Sequence, residues 1–303
     1  MLERKKVALI ALLTLLAIRA SAQEKLLIVH ADDLGMAHSV DAAAIKGLES
    51  GLITSASIMV PCPWLPEIAA YARAHPNADL GLHLTLTSEW KSFRWRPLTP
   101  LASLVDSEGF FNATESEAAA RIDPKDAEAE VRAQIARAKA VGIHPTHLDS
   151  HMGTLYQTKV LLGVLLRVAR EEKIPARISR ARAADVQPDD IVIDRIITID
   201  PSVAPEKWAQ WYTDEIRTIK PGVTEIVLHP AYDDPEMRAM TANHPSWGAA
   251  WRQRDLDFFT SDLFRRLVRE NGIRLVTWRE VNALKGLRTS SPDSPRPASV
   301  PDH

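Results

Sequence analysis

The chain of 303 residues has almost no cysteine, since Cys62 is the only one. One thiol cannot form a disulfide within the chain, so the hydrophobic core must hold the fold without covalent cross-links. Cys62 stands between Pro61 and Pro63. We interpret it as a small packed side chain rather than a nucleophile.

The sequence also lacks an excess of either charge, with a formal charge of −2 at pH 7. Residues 1–22 carry four basic side chains and one acidic side chain, so the charge without them is −5. No basic surface is left to attract nucleic acid, and we predict no nucleic-acid partner.

No apolar run reaches the roughly 20 residues that are needed to cross a bilayer. The run from Val7 to Ile18 follows Arg4-Lys-Lys6 and precedes Ala20-Ser-Ala22. A basic start, a short apolar middle and small residues at the end are typical of a secretory signal peptide, although a membrane anchor is the alternative. We predict a signal peptide over 1–22, export to the periplasm or the extracellular space, and no membrane contact after cleavage.

Short β-branched or leucine-rich runs alternate with longer stretches of helical period, and no internal repeat or linker divides them. This alternation is typical of parallel strands joined by helices. We predict a single α/β barrel domain over 23–288 and a disordered Pro- and Ser-rich tail over 289–303. The predicted strands are Leu26–Val29, Ala56–Val60, Leu80–Leu86, His144–Leu148, Ala176–Ser179, Ile191–Thr198, Thr224–Leu228 and Ile273–Thr277.

Three stripes of apolar residues at helical spacing predict helices. One begins at Asp123-Pro124 and ends near Gly142, the second runs from Trp208 to Ile219, and the third runs from Leu256 to Val268. The segment from Trp90 to Glu117 has no clear period and carries five aromatic residues. We interpret it as a long loop at the barrel top that contacts substrate.

Polar residues stand directly after the first predicted strand and within the third. Asp32 and Asp33 come directly after an apolar strand, at the end where barrel active sites are built, although Asp is also a common helix cap. His83 alternates with leucines, so that it faces away from them toward the barrel mouth. A hydrogen-bonded histidine of the core is the alternative for His83.

Two later segments add more polar groups at the same rim. His147, Asp149 and His151 share one face of a strand, and such a set suits a divalent cation or, alternatively, a structural polar network. His229 follows another strand and precedes Pro230. Its weight as a candidate comes from its place at the carboxyl end of that strand.

Together these segments resemble the four ordered motifs of the YdjC-like carbohydrate deacetylases, and the resemblance covers Leu26 to about Leu284. It implies a seven-stranded or similarly distorted (β/α) barrel, TIM-barrel-like, that removes acetyl groups from N-acetylated sugars with one divalent metal ion, Mg²⁺ or Zn²⁺. The motifs are Ala31-Asp-Asp-Leu-Gly35, Gly81-Leu-His-Leu84, Thr146-His-Leu-Asp-Ser-His151 and Leu228-His-Pro230.

The resemblance also implies a role for individual residues. Asp33, His83 and His151 would hold the metal ion. Asp32 would act as the general base that takes a proton from water, and His229 as the general acid that protonates the departing amine.

Further residues would contact the substrate or support the ligands, namely His147, Asp149 and Arg177. Arg177 resembles an arginine that orients Asp32 or binds substrate, but a surface arginine lying over apolar residues is the alternative. Many family members continue the third motif as His-x-His-x-His, whereas this chain reads Met152-Gly-Thr-Leu155 after His151. The substrate-binding surface therefore differs, and the identity of the sugar stays open.

The adjacent carboxylates pose a geometric problem, because neighbours on a regular strand point to opposite faces. Asp32 and Asp33 can serve one site only if the strand ends there, and Gly35 would permit a sharp exit. Aromatic side chains near the mouth offer flat faces for sugar rings, although most tryptophans are core residues. The candidates are Trp90, Trp95, Trp247 and Trp251.

Two rival functions stay open, a non-catalytic carbohydrate-binding protein and a metal-dependent hydrolase of another amide or ester bond. A binding protein needs neither a base such as Asp32 nor an acid such as His229. Phosphoester hydrolysis usually needs paired metals or an arginine and lysine clamp, and the four motifs contain no such cluster. A homo-oligomer is compatible with the sequence.

Overall fold

The computed structural model of the chain describes residues 24–289. The predicted signal peptide and the predicted tail after Thr289 lie outside the described residues, and Thr289 itself ends the last helix. Each helix between residues 24 and 289 falls short of the length and apolar composition that a bilayer span requires.

Within residues 24–289, nine strands alternate with ten α-helices. The strands are β1 (Lys25–Leu34), β2 (Ser55–Ile58), β3 (Leu80–Leu84), β4 (Leu148–Ser150), β5 (Ile178–Ser179), β6 (Val192–Ile193), β7 (Arg195–Thr198), β8 (Gly222–Leu228) and β9 (Ile273–Leu275). The helices are α1 (His38–Glu49), α2 (Leu65–Ala74), α3 (Glu115–Arg121), α4 (Pro124–Ala140), α5 (Lys159–Glu172), α6 (Trp208–Arg217), α7 (Pro235–Met240), α8 (Ala249–Phe259), α9 (Asp262–Glu270) and α10 (Trp278–Thr289).

The strands form a parallel sheet in the order β4-β3-β2-β1-β8-β7, and β9 pairs with the start of β1. The separate pair β5-β6 bridges the two ends of this sheet, because the residues before β5 bond to β4 and β6 runs on almost directly into β7. Leu148 N donates to Pro175 O, and Arg177 N donates to Leu148 O, both at 2.8 Å. The sheet thus curls into a distorted (β/α) barrel with helices outside, which confirms the predicted fold class.

Strand β1 shows how the barrel separates its apolar shell from its interior. Leu27 and Val29 pack into the main core under the helices, whereas Leu26 and Ile28 belong to a second apolar cluster. Because side chains alternate along a strand, His30 and Asp32 continue the row of Leu26 and Ile28. The interior is therefore apolar at its base and polar toward the carboxyl ends of the strands.

A layer of flat rings closes the interior below the polar groups. The ring of His147 stacks on Trp278, with centroids 4.9 Å apart and planes 11° apart. Gly81 lies against this layer, since a Cβ placed there would come within 2.4 Å of the His147 ring. The glycine of the second motif is therefore needed for packing.

Several predicted boundaries are wrong for local reasons. The stripe from Leu256 to Val268 is two helices, because the Ser261 hydroxyl accepts a hydrogen bond from Phe264 N and starts α9 anew. The predicted strand Ile191–Thr198 divides at Asp194, whose carboxylate accepts a hydrogen bond from Val223 N at 2.8 Å. The fourth strand begins at Leu148 rather than His144.

We predict that Gly81→Ala destabilises the fold by about 1–3 kcal/mol, because the added methyl group would overlap the His147 ring, which is itself packed against Trp278. Gly163→Ala is the matched control, since a Cβ on Gly163 in α5 meets nothing within 4 Å. This change should be neutral or stabilise by up to about 1 kcal/mol through helix propensity. Urea unfolding of both variants measures the difference, and equal stabilities would contradict the packing argument.

Candidate active site

A bulge at the end of β1 brings both adjacent carboxylates to the barrel mouth. The pairing of β1 with β2 shifts register between Ala31 and Leu34, and Asp33 adopts a positive φ of 75°. This left-handed residue breaks the alternation of the strand, so Asp33 turns toward the same cavity as Asp32. The prediction that Gly35 makes the exit is incomplete: Gly35 also has a positive φ, but the chain turns two residues earlier.

The three predicted metal ligands meet at one point. Asp33 Oδ1 lies 3.5 Å from His83 Nε2 and 3.4 Å from His151 Nδ1, and all three side chains are buried. Asp33 Oδ1 accepts no hydrogen bond from the described residues. One carboxylate oxygen and two imidazole nitrogens at this spacing form a set that could hold a divalent cation.

His83 and Asp33 each form a hydrogen bond to a further side chain through the atom that lies away from the meeting point. His83 Nδ1 bonds to Asp149 Oδ1 at 2.7 Å. Because an ionised carboxylate only accepts, Nδ1 carries a hydrogen, and Nε2 is the nitrogen that faces Asp33. Arg252 Nη1 donates to Asp33 Oδ2 at 2.8 Å, which leaves Oδ1 for the meeting point.

The third imidazole lies between two acids. His151 Nε2 is 3.0 Å from Glu89 Oε2. Burial alone would lower the pKa of His151, but the charges of Glu89 and Asp33 outweigh it and raise the pKa to about 10. The imidazole is therefore a cation when only protein groups surround it, and a metal ion that binds Nδ1 must displace this proton.

Asp32 occupies a separate position beside the predicted ligands. Its Oδ1 lies 2.9 Å from His30 Nε2 and 3.6 Å from Arg177 Nη1, and the Ser57 hydroxyl donates to it at 3.3 Å. Burial would raise the pKa of Asp32, but the positive charges of His83 and Arg177 hold it below its usual range. Oδ1 is thus held by protein groups, and the carboxylate is ionised.

Arg177 is not a surface residue, which excludes that alternative. Its guanidinium is buried and lies 3.4 Å from Asp149 Oδ2 as well as near Asp32. The backbone carbonyl of Arg177 accepts a hydrogen bond from Tyr156. The arginine therefore compensates two buried carboxylates at once.

His229 closes the other side of the site. Its Nε2 lies 3.9 Å from Asp32 Oδ2, and its ring contacts those of Trp247 and Trp251. Burial outweighs the charges of Asp33 and Asp32 and lowers the pKa of His229 to about 4. The imidazole is therefore neutral near pH 7.

Two predicted site residues do not line the cavity: Asp149, which bonds His83, and His147. His147 lies beneath the site, with its ring against His30 at 4.9 Å and Nδ1 at 2.9 Å from the Thr146 hydroxyl. Burial and the charge of His30 lower the pKa of His147 well below its ordinary value. Its contacts support the interior, and it does not line the cavity.

The other six predicted site residues line a cavity of about 600 Å³. Of the four tryptophans predicted near the mouth, Trp90 and Trp247 line the cavity, whereas Trp95 and Trp251 are buried in the core and do not. The loop that starts at Trp90 thus contributes one wall, and Glu115 belongs to the same wall. The other lining residues include Met152, Gly153, Tyr156, Thr198 and His244.

Sequence reasoning missed four residues that contact the site. His30 could have been found, because it shares the interior row of Asp32 on β1. Arg252 and Asp255 lie on α8, more than 200 residues from the first motif, and Glu89 lies in a segment without periodicity. No local pattern marks these three.

The fold and the site define a distorted (β/α) barrel with a metal-compatible centre at its mouth, where one carboxylate and two imidazoles meet. The model of the YdjC-like protein family matches residues 26–270. The chain therefore belongs to the YdjC-like family, as its four motifs implied.

Similar proteins extend over almost the same length. A carbohydrate deacetylase of Thermus thermophilus is 32% identical over 272 residues, which are 85% of this chain and 94% of the relative. A chitooligosaccharide deacetylase of Yersinia enterocolitica is 26% identical over 85% of this chain and 99% of its own. Among solved structures, a proposed cellobiose-phosphate cleavage protein of Enterococcus faecalis is similar with a TM-score of 0.73, 28% identity, and coverage of 85% of this chain and 99% of that chain.

We predict that Asp255→Ala lowers the free energy of unfolding by about 3 kcal/mol, because the buried carboxylate accepts three hydrogen bonds whose donors would be left without partners. The donors are His229 N, Trp208 Nε1 and the Tyr212 hydroxyl, at 2.9–3.0 Å. Asp257→Ala on the same helix is the control, since Asp257 is exposed and accepts a hydrogen bond from Gln253. Chemical denaturation compares them, and similar losses would contradict this role of Asp255.

Proposed function

We propose that the protein is a metal-dependent carbohydrate deacetylase that hydrolyses the acetamide group of N-acetylated sugars. The observation that carries the proposal is the meeting of Asp33, His83 and His151 in the cavity that also holds Asp32 and His229. The names of the relatives in Thermus and Yersinia support the substrate class.

The side chains at the meeting point suit one divalent metal ion, Mg²⁺ or Zn²⁺. Asp33 Oδ1 is a buried acceptor with no hydrogen bond from the described residues, and His83 Nε2 faces it at 3.5 Å. A bound cation would polarise the acetyl carbonyl and lower the pKa of water. Both effects would favour hydrolysis of an amide, whose carbonyl is otherwise a weak electrophile.

Asp32 supplies the general base. His30, Ser57 and Arg177 occupy its Oδ1, so Oδ2 faces the cavity and His229. An ionised carboxylate oxygen in this position can take a proton from the attacking water while the new C–O bond forms.

His229 supplies the general acid. Expulsion of the sugar amine requires a proton on its nitrogen, because an alkyl amide anion is a very poor leaving group. His229 Nε2 lies at the cavity side of Asp32 and donates that proton as the C–N bond breaks. Acetate and the amino sugar are then the products, and the presence of both a base and an acid favours an enzyme over a sugar-binding protein.

The place of action is part of the same proposal. Residues 1–22 have the pattern of a signal peptide, so we propose that the enzyme works in the periplasm or outside the cell on acetylated oligosaccharides. A homo-oligomer stays compatible with this proposal.

The first test is acetate release from short N-acetylglucosamine oligomers and other acetylated sugars. We expect release by the metal-loaded protein and its loss after treatment with a chelator, with recovery when Zn²⁺, Mg²⁺ or another divalent ion is added back. Enzymatic detection of acetate gives the rate. Equal release by chelated and metal-replete protein would show that the mechanism is wrong.

The second test separates the base from the metal ligands. We expect Asp32→Asn to retain metal and lose activity by about 10²- to 10⁴-fold, because the amide cannot accept the proton. His83→Ala should lose metal, since one of three ligands is removed. His75→Ala, an exposed histidine on the ring of Tyr71, is the control and should keep both properties. Metal analysis and acetate assays on all three variants decide the assignment.

A further inference from the structure

Glu89 contacts His151, the third predicted metal ligand, through the ring nitrogen that faces away from Asp33. It follows β3 by five residues and lines the cavity, yet only 12% of its side chain is exposed. Its Oε2 lies 3.0 Å from His151 Nε2, on the side of the ring opposite to Asp33. This contact matches the one that Asp149 makes with His83.

The backbone around Glu89 is held in place by its neighbours. Trp95 Nε1 donates to Thr87 O at 2.7 Å, and Trp95 N donates to the Ser88 hydroxyl at 3.1 Å. The Trp95 ring also lies 5.9 Å from the His151 ring, edge to face. The start of the long loop is therefore a folded support against His151, and Glu89 has little freedom to swing away.

The next residue connects this support to the first predicted ligand. The Arg252 guanidinium, which donates to Asp33 Oδ2, lies 5.6 Å from the centre of the Trp90 ring. Trp90 and Trp95 are in turn in contact, with centroids 6.0 Å apart. Residues 89–95 thus contact the surroundings of both Asp33 and His151.

We propose that Glu89 is a positioning residue of the metal centre, which holds His151 through Nε2 so that Nδ1 faces Asp33. The inference rests on the proposed function and adds a residue that the four motifs do not contain. A carboxylate that accepts from one imidazole nitrogen fixes the orientation of the ring and makes the other nitrogen a stronger donor to a cation.

A second glutamate of the cavity wall, Glu115, does not hold a predicted ligand, so a place in this wall is not enough for the role that we propose for Glu89. Glu115 lines the same wall, but its side chain makes no hydrogen bond or ion pair with any residue of 24–289, the predicted ligands included. Both side chains add negative charge to the cavity. Of the two, Glu89 is the one that holds His151. A comparison of variants at Glu89 and Glu115 therefore separates the effect of this contact on metal binding from the effect of negative charge in the cavity.

The experiment is a titration of metal-free protein with Co²⁺ and with Zn²⁺, read by competition with a chelator and by the visible spectrum of bound Co²⁺. We expect Glu89→Ala to bind 10- to 100-fold more weakly than the wild type, with a changed Co²⁺ spectrum. Glu89→Gln keeps an acceptor for the His151 hydrogen and should recover most of the affinity. Glu115→Ala is the control and should bind metal as the wild type does.

Glu89→Leu fills the same space without an acceptor, so it replaces the alanine variant if that variant fails to fold, and the same loss is expected. Wild-type affinity in the alanine or leucine variant overturns the role of Glu89, and so does an equal loss of affinity in Glu115→Ala. In either case, acetate release by the wild type leaves the proposed function in place. A wild type that binds no metal and releases no acetate instead refutes the proposed function itself.

Discussion

The site depends on the compensation of carboxylates that are buried inside the barrel. Asp32, Asp33 and Asp149 are almost inaccessible, and an uncompensated ion in such a place costs several kcal/mol. Arg177 lies between two of them and Arg252 pairs with the third, so each guanidinium is needed where it stands. The polar interior therefore tolerates the loss of a partner poorly, because each removal takes compensating charge away from a buried carboxylate.

This compensation explains why the two halves of the chain must meet at the mouth. Asp33 comes from the first strand, whereas Arg252 comes from α8, which is separated from it by 219 residues. The same helix carries Asp255, which binds His229 N, and Trp251, which packs on the His229 ring. The packing of α8 at the barrel mouth thus positions both the partner of Asp33 and the late histidine.

Much of the site could be predicted because its central residues follow strands, where alternation and the carboxyl-end rule both apply. His83 and His151 face the cavity for this reason, and Asp33 joins them through a bulge, although the roles of all three stay predictions. The rest depends on tertiary contacts that leave no period in the sequence. Glu89 lies in an irregular loop, and the bulge at Asp33 violates the alternation on which strand reasoning relies. Boundaries failed in the same way, since one hydroxyl at Ser261 was enough to divide a continuous apolar stripe into two helices.

Within the proposed mechanism, the burial of His229 determines the order of the proton transfers. Its pKa of about 4 means that the imidazole begins neutral near pH 7 and has no second proton to give to the amine. Asp32 Oδ2 lies 3.9 Å from His229 Nε2, so the proton that the carboxylate takes from water can pass to the imidazole over a short distance. The base would then recharge the acid within each turnover, and both residues would belong to one path from water to leaving nitrogen. A neutral imidazole also adds no charge beside the metal-compatible centre before the amine needs its proton, which is consistent with a histidine packed against two tryptophans.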